Sequence, residues 1–349
     1  MKVVVTGATG NVGTSLLQAL VDEPRVNEVV GIARRVPRRL WPKTSWVAAD
    51  VTRDDLVPLF RGADAVVHLA WLIQPSRDQA ALRATNVDGS RRVFQAAGEA
   101  GAGALVYASS VGAYSPGPKD RLVDEGWPTE GIRSSFYSRH KAEVERELDL
   151  FERAFPQVRT VRLRPGLIFK REAASEIRRY FAGPFLPGTV LRRSLIPIVP
   201  DVDGLRFQAV HSHDVGAAYR LAVTGDARGA FNVAADPVLD PAELADLLGA
   251  RRVRLSPRVL RIGADLTWRM RLQPTPPGWV DMALNVPLLD SSRARQELGW
   301  TPRRSSREAL LDLLDGLREG DGVDTPPLSP SAGGPLRVRE VLTGVGGRN

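Results

Sequence analysis

The 349-residue chain contains no cysteine. Disulfides, thiolate metal sites and a cysteine nucleophile are thereby excluded. Long apolar runs are missing as well, and no stretch reaches the length that spans a bilayer. The N-terminal run Val3-Val4-Val5 breaks at Gly7, too short for a signal peptide, so a cytoplasmic protein is expected. No internal repeat is present. The balance of 48 basic to 40 acidic residues gives a net charge of +8, which raises a nucleic-acid partner. The arginines, however, come as scattered pairs such as Arg34-Arg35, Arg91-Arg92 and Arg251-Arg252. They form no stripe with interleaved aromatics and no nucleic-acid motif, so no nucleic-acid partner is expected. Residues 259–270 mix apolar side chains with arginines, a pattern that suits a membrane surface. They are read instead as a helix covering the substrate, and no membrane partner is expected.

What is present is an alternation of strand and helix signals. Lys2–Thr6, Glu28–Ala33 and residues 45–49, 63–69, 104–109 and 159–164 read as strands. Residues 14–22, 79–100 and 137–155 read as helices between them. This pattern predicts βαβ units: an α/β, Rossmann-type doubly wound parallel sheet with a smaller, mostly C-terminal substrate lobe. After Pro165 proline and glycine multiply (Gly183-Pro184, Pro187-Gly188, Pro197, Pro200) and the alternation is lost. The expected division is a dinucleotide-binding domain over 1–165, with returning segments near 205–235, and a lobe over 166–318. Within the returning part, 207–211 and 230–234 are expected as strands of the main sheet. Late helices are expected over 291–298 and 307–317. From 319 to 349 glycine, proline and serine predict a disordered tail.

The first turn carries chemistry. Gly7-Ala8-Thr9-Gly10-Asn11-Val12-Gly13 spaces three glycines as Gly-x-x-Gly-x-x-Gly between an apolar strand and an amphipathic helix. The glycines allow close backbone approach to a pyrophosphate, and the helix start offers free N–H groups and a positive dipole end. The end of the second strand selects the cofactor: an acid binds the ribose 2′-OH of NAD, an arginine the 2′-phosphate of NADP. Here Ala33 stands at the acidic position, and Arg34 and Arg35 follow. Two planar guanidiniums favour NADP over NAD.

With Asp50-Val51, His68-Leu69-Ala70, Asn86-Val87-Asp88-Gly89, residues 106–114, Tyr137-Ser138-Arg139-His140-Lys141, Arg164-Pro165-Gly166 and Phe231-Asn232-Val233, the chain from Met1 to about Leu317 resembles the extended short-chain dehydrogenases/reductases, the NAD-dependent epimerase/dehydratase group. The resemblance implies that Asp50 and Val51 contact the adenine, that Leu69 and Ala70 line the dinucleotide cleft, and that Asn86 shapes the site from its helix. It places Pro165 against the nicotinamide side and has Lys141 hydrogen-bond the nicotinamide ribose. It also suggests a homodimer through helices 79–100 and 137–155.

Tyr137 and Lys141 stand four apart, on one helix face. A free phenol ionises near pH 10, and an adjacent ammonium is expected to lower that value, making Tyr137 an acid/base. Ser110 follows the fifth strand at the carboxyl end of the sheet, where its hydroxyl can bond a substrate oxygen. Ser109 is its rival and is assigned to the cofactor side. Ser110 is preferred because it stands four before Tyr114, as in the family's arrangement. His211, His213 and Asp214 invite a metal, but the resemblance puts them at a strand-to-helix junction with Ser212 as N-cap, and no metal is expected.

The family includes reductases, epimerases and dehydratases. Dehydratases carry an Asp-Glu pair after the catalytic hydroxyl, whereas Val111-Gly112 follows Ser110 here. Many sugar-nucleotide enzymes grip the diphosphate with an arginine at the position of Phe207, although Arg206 is adjacent. The segment Leu195-Ile196-Pro197-Ile198 is apolar. A small-molecule carbonyl or alcohol is therefore the expected substrate of an NAD(P)-dependent oxidoreductase. An epimerase working through a transient ketone uses the same three residues. A non-enzymatic dinucleotide-binding sensor or assembly factor is the alternative from another class, though it has no use for Ser110, Tyr137 and Lys141 together.

Overall fold

The computed structural model describes residues 1–73, 77–179 and 197–329. Strand Lys2–Thr6 (β1) is almost wholly β-branched, and its side chains alternate between two buried faces. Val3 and Val5 pack with Leu16, Leu17 and Leu20 on one side, while Val4 packs with Val66 and Phe94 on the other. Each such burial contributes about 1.5–3 kcal/mol. Helix Asn11–Val21 (α1) follows, then Glu28–Ala33 (β2), Thr44–Ala48 (β3) and Ala65–His68 (β4). Gly89–Glu99 (α2), Ala104–Ala108 (β5), Phe136–Ala154 (α3), Arg159–Pro165 (β6), Ser212–Thr224 (α4) and Gly229–Val233 (β7) complete the central layers.

The sheet order is β7-β6-β5-β4-β1-β2-β3, with every pairing parallel. After β3 the chain crosses from one side of β1 to the other, so strand order reverses between β1 and β4. The crevice at the carboxyl ends of these two strands is where ligands of such sheets bind. Helices α1 and α4 cover one face through Leu17, Val215, Ala218 and Ala222. Helices α2 and α3 cover the other through Val93, Phe94, Val144 and Leu148.

The core strands fall where the sequence puts them, within a residue or two at each end. Four other expectations are corrected. The segment over 207–211 does not join the main sheet: Ala209–His211 pairs in parallel with Leu167–Phe169 as a separate ribbon, while Phe207 exchanges backbone bonds with Leu239. The helix over 79–100 is not continuous, because a π-helical turn at Ala84–Asp88 separates Gln79–Arg83 from α2. The cap of α4 is His211, whose ring accepts the His213 N–H at 3.2 Å. Ser212 instead turns inward to Ser15 Oγ at 2.8 Å.

The fourth correction concerns the tail. Helix Pro257–Arg269 (α5), helix Gly278–Asn285 (α6) and helix Ser306–Glu319 (α7) are followed by residues 320–329, which are packed rather than loose. Val323 and Leu328 join the α1 core, and Thr325 Oγ1 donates to the Thr9 carbonyl at 2.9 Å. Two apolar anchors and one buried hydrogen bond outweigh the local composition. The expectations for residues 183–188, for Leu195 and Ile196, and for 330–349 lie outside the described residues.

Candidate active site

The glycine turn is shaped by close approach. Gly7 has φ +74°, and a Cβ there would lie 2.6 Å from Ala70 N, on the neighbouring strand's exit. A Cβ at Gly13 would lie 2.5 Å from the Gly7 carbonyl oxygen, inside its van der Waals envelope. Leu69 and Ala70 are thus held against the turn across the β1/β4 crevice. Helix α1 has no side-chain cap at Gly10 and no acidic residue in its first turn. Its first N–H groups and the positive end of its dipole are left for an external anion. Asn11 Oδ1 is buried with no hydrogen-bond partner among the described residues. A dinucleotide pyrophosphate fits this donor set, with Thr9, Gly10, Asn11, Val12 and Gly13 around it. Lys170, which sequence reasoning passed over, braces α1 from the side by donating to Asn11 O, Thr14 Oγ1 and Ser15 Oγ. Burial pushes its ammonium down to about 8.

Beyond β2, Arg34 and Arg35 are exposed. Arg35, Pro37 and Arg38 face Asp324, Thr325 and Ser329 across an open hollow of about 350 Å³. Asp50 accepts from Thr52 N at 3.0 Å and Thr52 Oγ1 at 2.8 Å. Burial would raise its carboxyl, but these bonds, with the Arg34 and Arg53 charges, hold it below its ordinary value. Val51 is buried beneath it. Asn86 sits in the π turn, where the extra residue aims its amide inward. Its Oδ1 accepts Leu72 N at 2.7 Å and its Nδ2 donates to Leu72 O at 2.9 Å, fixing the loop that leaves β4. Pro165 ends β6 beside Val233.

The Ser110, Tyr137 and Lys141 side chains meet at the carboxyl end of β5. Ser110 caps a short 3-10 turn, accepting Gly112 N at 3.0 Å, and its side chain hydrogen-bonds Tyr137. Ser135 caps α3 by accepting Ser138 N, which puts Tyr137 in the first turn and Lys141 one turn later on the same face. Lys141 Nζ donates to the Ala108 carbonyl at 2.6 Å and lies 3.4 Å from the centroid of the Trp71 ring, a cation–π contact. It is 5.9 Å from the Tyr137 ring centroid.

The electrostatics differ from the expected ones. Burial pushes the Tyr137 phenol up to about 12, with the Ser110 hydrogen bond pulling the other way. Burial also drives the Lys141 ammonium well below its ordinary value, with the Glu145 carboxylate opposing. Desolvation wins over the mutual influence expected from the four-residue spacing, because the ammonium is turned towards Ala108 and Trp71.

Ser109 is committed elsewhere: its hydroxyl donates to Glu145 Oε1. Glu145 is buried on α3 and forms a charged knot that sequence reasoning did not identify. Its Oε2 accepts from Arg162 and Arg164, both at 2.9 Å, and its Oε1 accepts from Arg164 Nε at 2.9 Å. Arg164 also donates to Tyr114 Oη at 3.0 Å, and Tyr114 donates to Asn232 Oδ1 at 2.6 Å. The signal was present in β6, where arginines at 162 and 164 share one face of a buried strand and require a buried acid.

Around Tyr137 the walls are aromatic and apolar. Trp279 of α6 lies 5.1 Å from its ring centroid and Trp71 5.9 Å. Met282, Val111 and Ile132 complete the same cluster. The stretch read as a helix covering the substrate is α5. It approaches the site only through inward contacts, with Arg261 on Asp281 at 2.9 Å and the Trp268 carbonyl accepting from Arg77 at 2.8 Å. None of its residues is buried. His211, read as a metal candidate, lies between Asp312 at 3.1 Å and the Arg304 guanidinium, and no group of three or more metal-ligating side chains occurs among the described residues.

Comparison with known proteins bears on the fold and the family. Across 330 residues the chain is 28% identical to an uncharacterised protein of Mycobacterium tuberculosis strain H37Rv, covering 93% of this chain. The chain spans 31% of the length of that relative. A second uncharacterised protein of the same strain is 25% identical over 346 residues, covering 90% of this chain and 83% of that one. A provisionally named dihydroflavonol 4-reductase of Synechocystis is 30% identical over 150 residues, 40% of this chain and 43% of the other. Among solved structures, the UDP-glucuronic acid 4-epimerase of Bacillus cereus in complex with UDP-glucuronic acid and NAD superposes with a TM-score of 0.67 at 18% identity, covering 91% of this chain and 99% of that one. The Thermus thermophilus UDP-glucose 4-epimerase in complex with NAD gives 0.68 at 20% identity, again over 91% and 99%. At these identities the structural likeness is one of fold. The sequence model of the NAD dependent epimerase/dehydratase family matches residues 3–234, two thirds of the chain, and the chain belongs to that family.

Proposed function

We propose that the chain is an NAD(P)-dependent oxidoreductase that interconverts a carbonyl and an alcohol on an apolar small molecule, with NADP preferred. The observation that carries this reading is the meeting of Ser110, Tyr137 and Lys141 beside an aromatic wall of Trp71 and Trp279. A nicotinamide bound with its phosphates at α1 supplies or accepts the hydride. Ser110 orients the substrate oxygen by hydrogen bonding, and Tyr137 Oη delivers or removes its proton. Lys141, one helical turn beyond Tyr137 with its Nζ on the Ala108 carbonyl, is assigned to the nicotinamide ribose rather than to the phenol. Trp71, Trp279 and Met282 exclude water and favour an apolar substrate. The lobe over 166–318 supplies this covering in part, and we assign it the substrate.

The second reading is an epimerase acting through a transient ketone, favoured by the NAD and UDP-sugar complexes among fold relatives. Against a sugar nucleotide stand two features of the lobe. Phe207 is packed with Ala209, Leu239 and Leu244 at the position where a diphosphate-gripping arginine is expected. Arg206 is engaged with the Lys119 carbonyl at 2.6 Å. The homodimer through helices α2 and α3 belongs to this proposal too. Tyr137→Phe tests the chemistry: turnover falls by at least about a thousandfold, while NADPH titration gives an unchanged dissociation constant. Full activity in that variant would sink the mechanism. Tightly bound NAD retained through purification would favour the epimerase.

A further inference from the structure

Helix α5 presents an apolar stripe that nothing in the described chain covers. Val259, Ile262, Leu266 and Met270 recur at helical spacing, and with Leu272 they are between 49% and 66% exposed. Ile198 and Val253, on the neighbouring ribbon Ile198–Asp201 with Arg251–Arg254, are exposed as well. Seven of the twelve large hydrophobic residues exposed among the described residues thus belong to this one region of the lobe. The same region is rich in arginine. Residues 251–272 hold seven arginines and a single aspartate, Asp265; Arg254, Arg261 and Arg269 have carboxylate partners in Asp203, Asp281 and Asp265, while Arg251, Arg252, Arg258 and Arg271 have no ion pair among the described residues. Arg258 and Arg269 border the apolar stripe along one side of the helix, and all seven arginines are exposed.

An amphipathic helix with large apolar residues on one face and arginines at its border matches the boundary between acyl chains and anionic headgroups. Each arginine close to such a surface adds attraction, and their long side chains let the guanidinium reach the phosphates while the stem stays in the apolar layer. A second copy of this chain is the poorer partner, because it would bring two arginine-rich faces together. The inner side of α5 touches both walls of the site, through Arg77 to the loop that carries Trp71 and through Arg261 to the helix that carries Trp279 and Met282. We infer that this face docks on an anionic lipid bilayer, and that the apolar site beneath it draws its carbonyl or alcohol substrate from the lipid. The second half rests on the proposed function; the docking does not.

The test is flotation of the full chain with vesicles of phosphatidylcholine, alone or mixed with phosphatidylglycerol, at low and high salt. The expected result is flotation with the mixed vesicles, none with phosphatidylcholine alone, and release by salt. Arg258→Glu with Arg269→Glu weakens binding by at least about tenfold, and Leu266→Glu abolishes it. Both are exposed substitutions, so NADPH binding and thermal midpoint stay at the wild-type values. Three results would overturn the inference. One is wild-type protein that does not float with anionic vesicles. Another is Leu266→Glu that floats like wild type. The third is a lipid-free dimer that Leu266→Glu converts to monomer without any vesicle binding, which would assign the stripe to a second copy. Because flotation needs no turnover, failure of the catalytic reading leaves its outcome intact.

Discussion

Replacing Glu145 with glutamine removes one buried negative charge from between two buried guanidiniums and keeps the shape. Arg162 retains Asp149 at 2.7 Å and Glu152 at 2.8 Å, so it stays compensated. Arg164 keeps only neutral partners, Tyr114 and the Glu125 carbonyl at 2.9 Å. Breaking one side of a buried ion pair costs about 3–5 kcal/mol, and the retained partners of Arg162 argue for the lower end. The acidity of Glu145 gives a second route to the magnitude. Burial would raise its carboxyl, but Arg164, Arg162 and Ser109 hold it down at about 2, against an ordinary 4.5. At 1.36 kcal/mol per pH unit that difference is about 3 kcal/mol. The two routes agree.

The sign follows from a folded value below the unfolded one. The stabilisation is complete above about pH 4.5 and is lost as pH falls towards 2. Urea unfolding of wild type and Glu145→Gln at pH 7 should therefore differ by about 3 kcal/mol. The gap should narrow progressively below pH 4.5, because a protonated Glu145 and a glutamine carry the same charge. A gap below about 1 kcal/mol at pH 7, or one that does not change with pH, would refute the reasoning.

Gly13→Ala places a methyl against the Gly7 carbonyl and should displace the turn, weakening NADPH binding by at least about tenfold in a fluorescence titration; unchanged binding would show that the turn can relax. Replacing Arg34 and Arg35 together with alanine should weaken NADPH by about 2 kcal/mol and leave NADH within a factor of about two; equal losses for both cofactors would remove the 2′-phosphate from this surface. Lys141→Met removes a fully buried ammonium while keeping an unbranched apolar stem. Its urea midpoint should equal or exceed that of wild type while kcat falls by about a hundredfold or more. A loss of stability above about 2 kcal/mol would mean that Lys141 is a structural cation.

Much of the fold was legible because the local and long-range signals agree. In β1, β4 and β5 the apolar runs are continuous, as parallel strands buried on both faces require, and their ends are marked by turn residues. The segment over 207–211 also reads as a strand, yet the identity of its partner strand depends on tertiary packing that no local pattern encodes. The grouping of Ser110, Tyr137 and Lys141 was legible from spacing and order; the acidity of Tyr137 and Lys141 was not. Acidity depends on where Ala108, Trp71 and Glu145 place charge and exclude water, and those residues are 33, 70 and 4 positions from Lys141 in the chain. The mixture of apolar residues and arginines in α5 was visible in the sequence, but composition does not say which face the rest of the chain claims. Here the side that faces the rest of the chain carries Trp268, under the Arg77 guanidinium, and Arg261, on Asp281, away from the larger aliphatics.

Thr325 lies 316 positions beyond Thr9, and its hydroxyl bonds the carbonyl of the turn that opens the dinucleotide site. The strand that begins the sheet and Ser110, Tyr137 and Lys141 are all synthesised in the first half of the chain, yet the glycine turn gains its outer support only when residues 320–329 arrive. During translation the N-terminal half can therefore collapse into its sheet well before the entrance to the cofactor crevice is complete. A chain interrupted anywhere between Lys141 and Thr325 would carry Ser110, Tyr137 and Lys141 and still leave that turn without its brace.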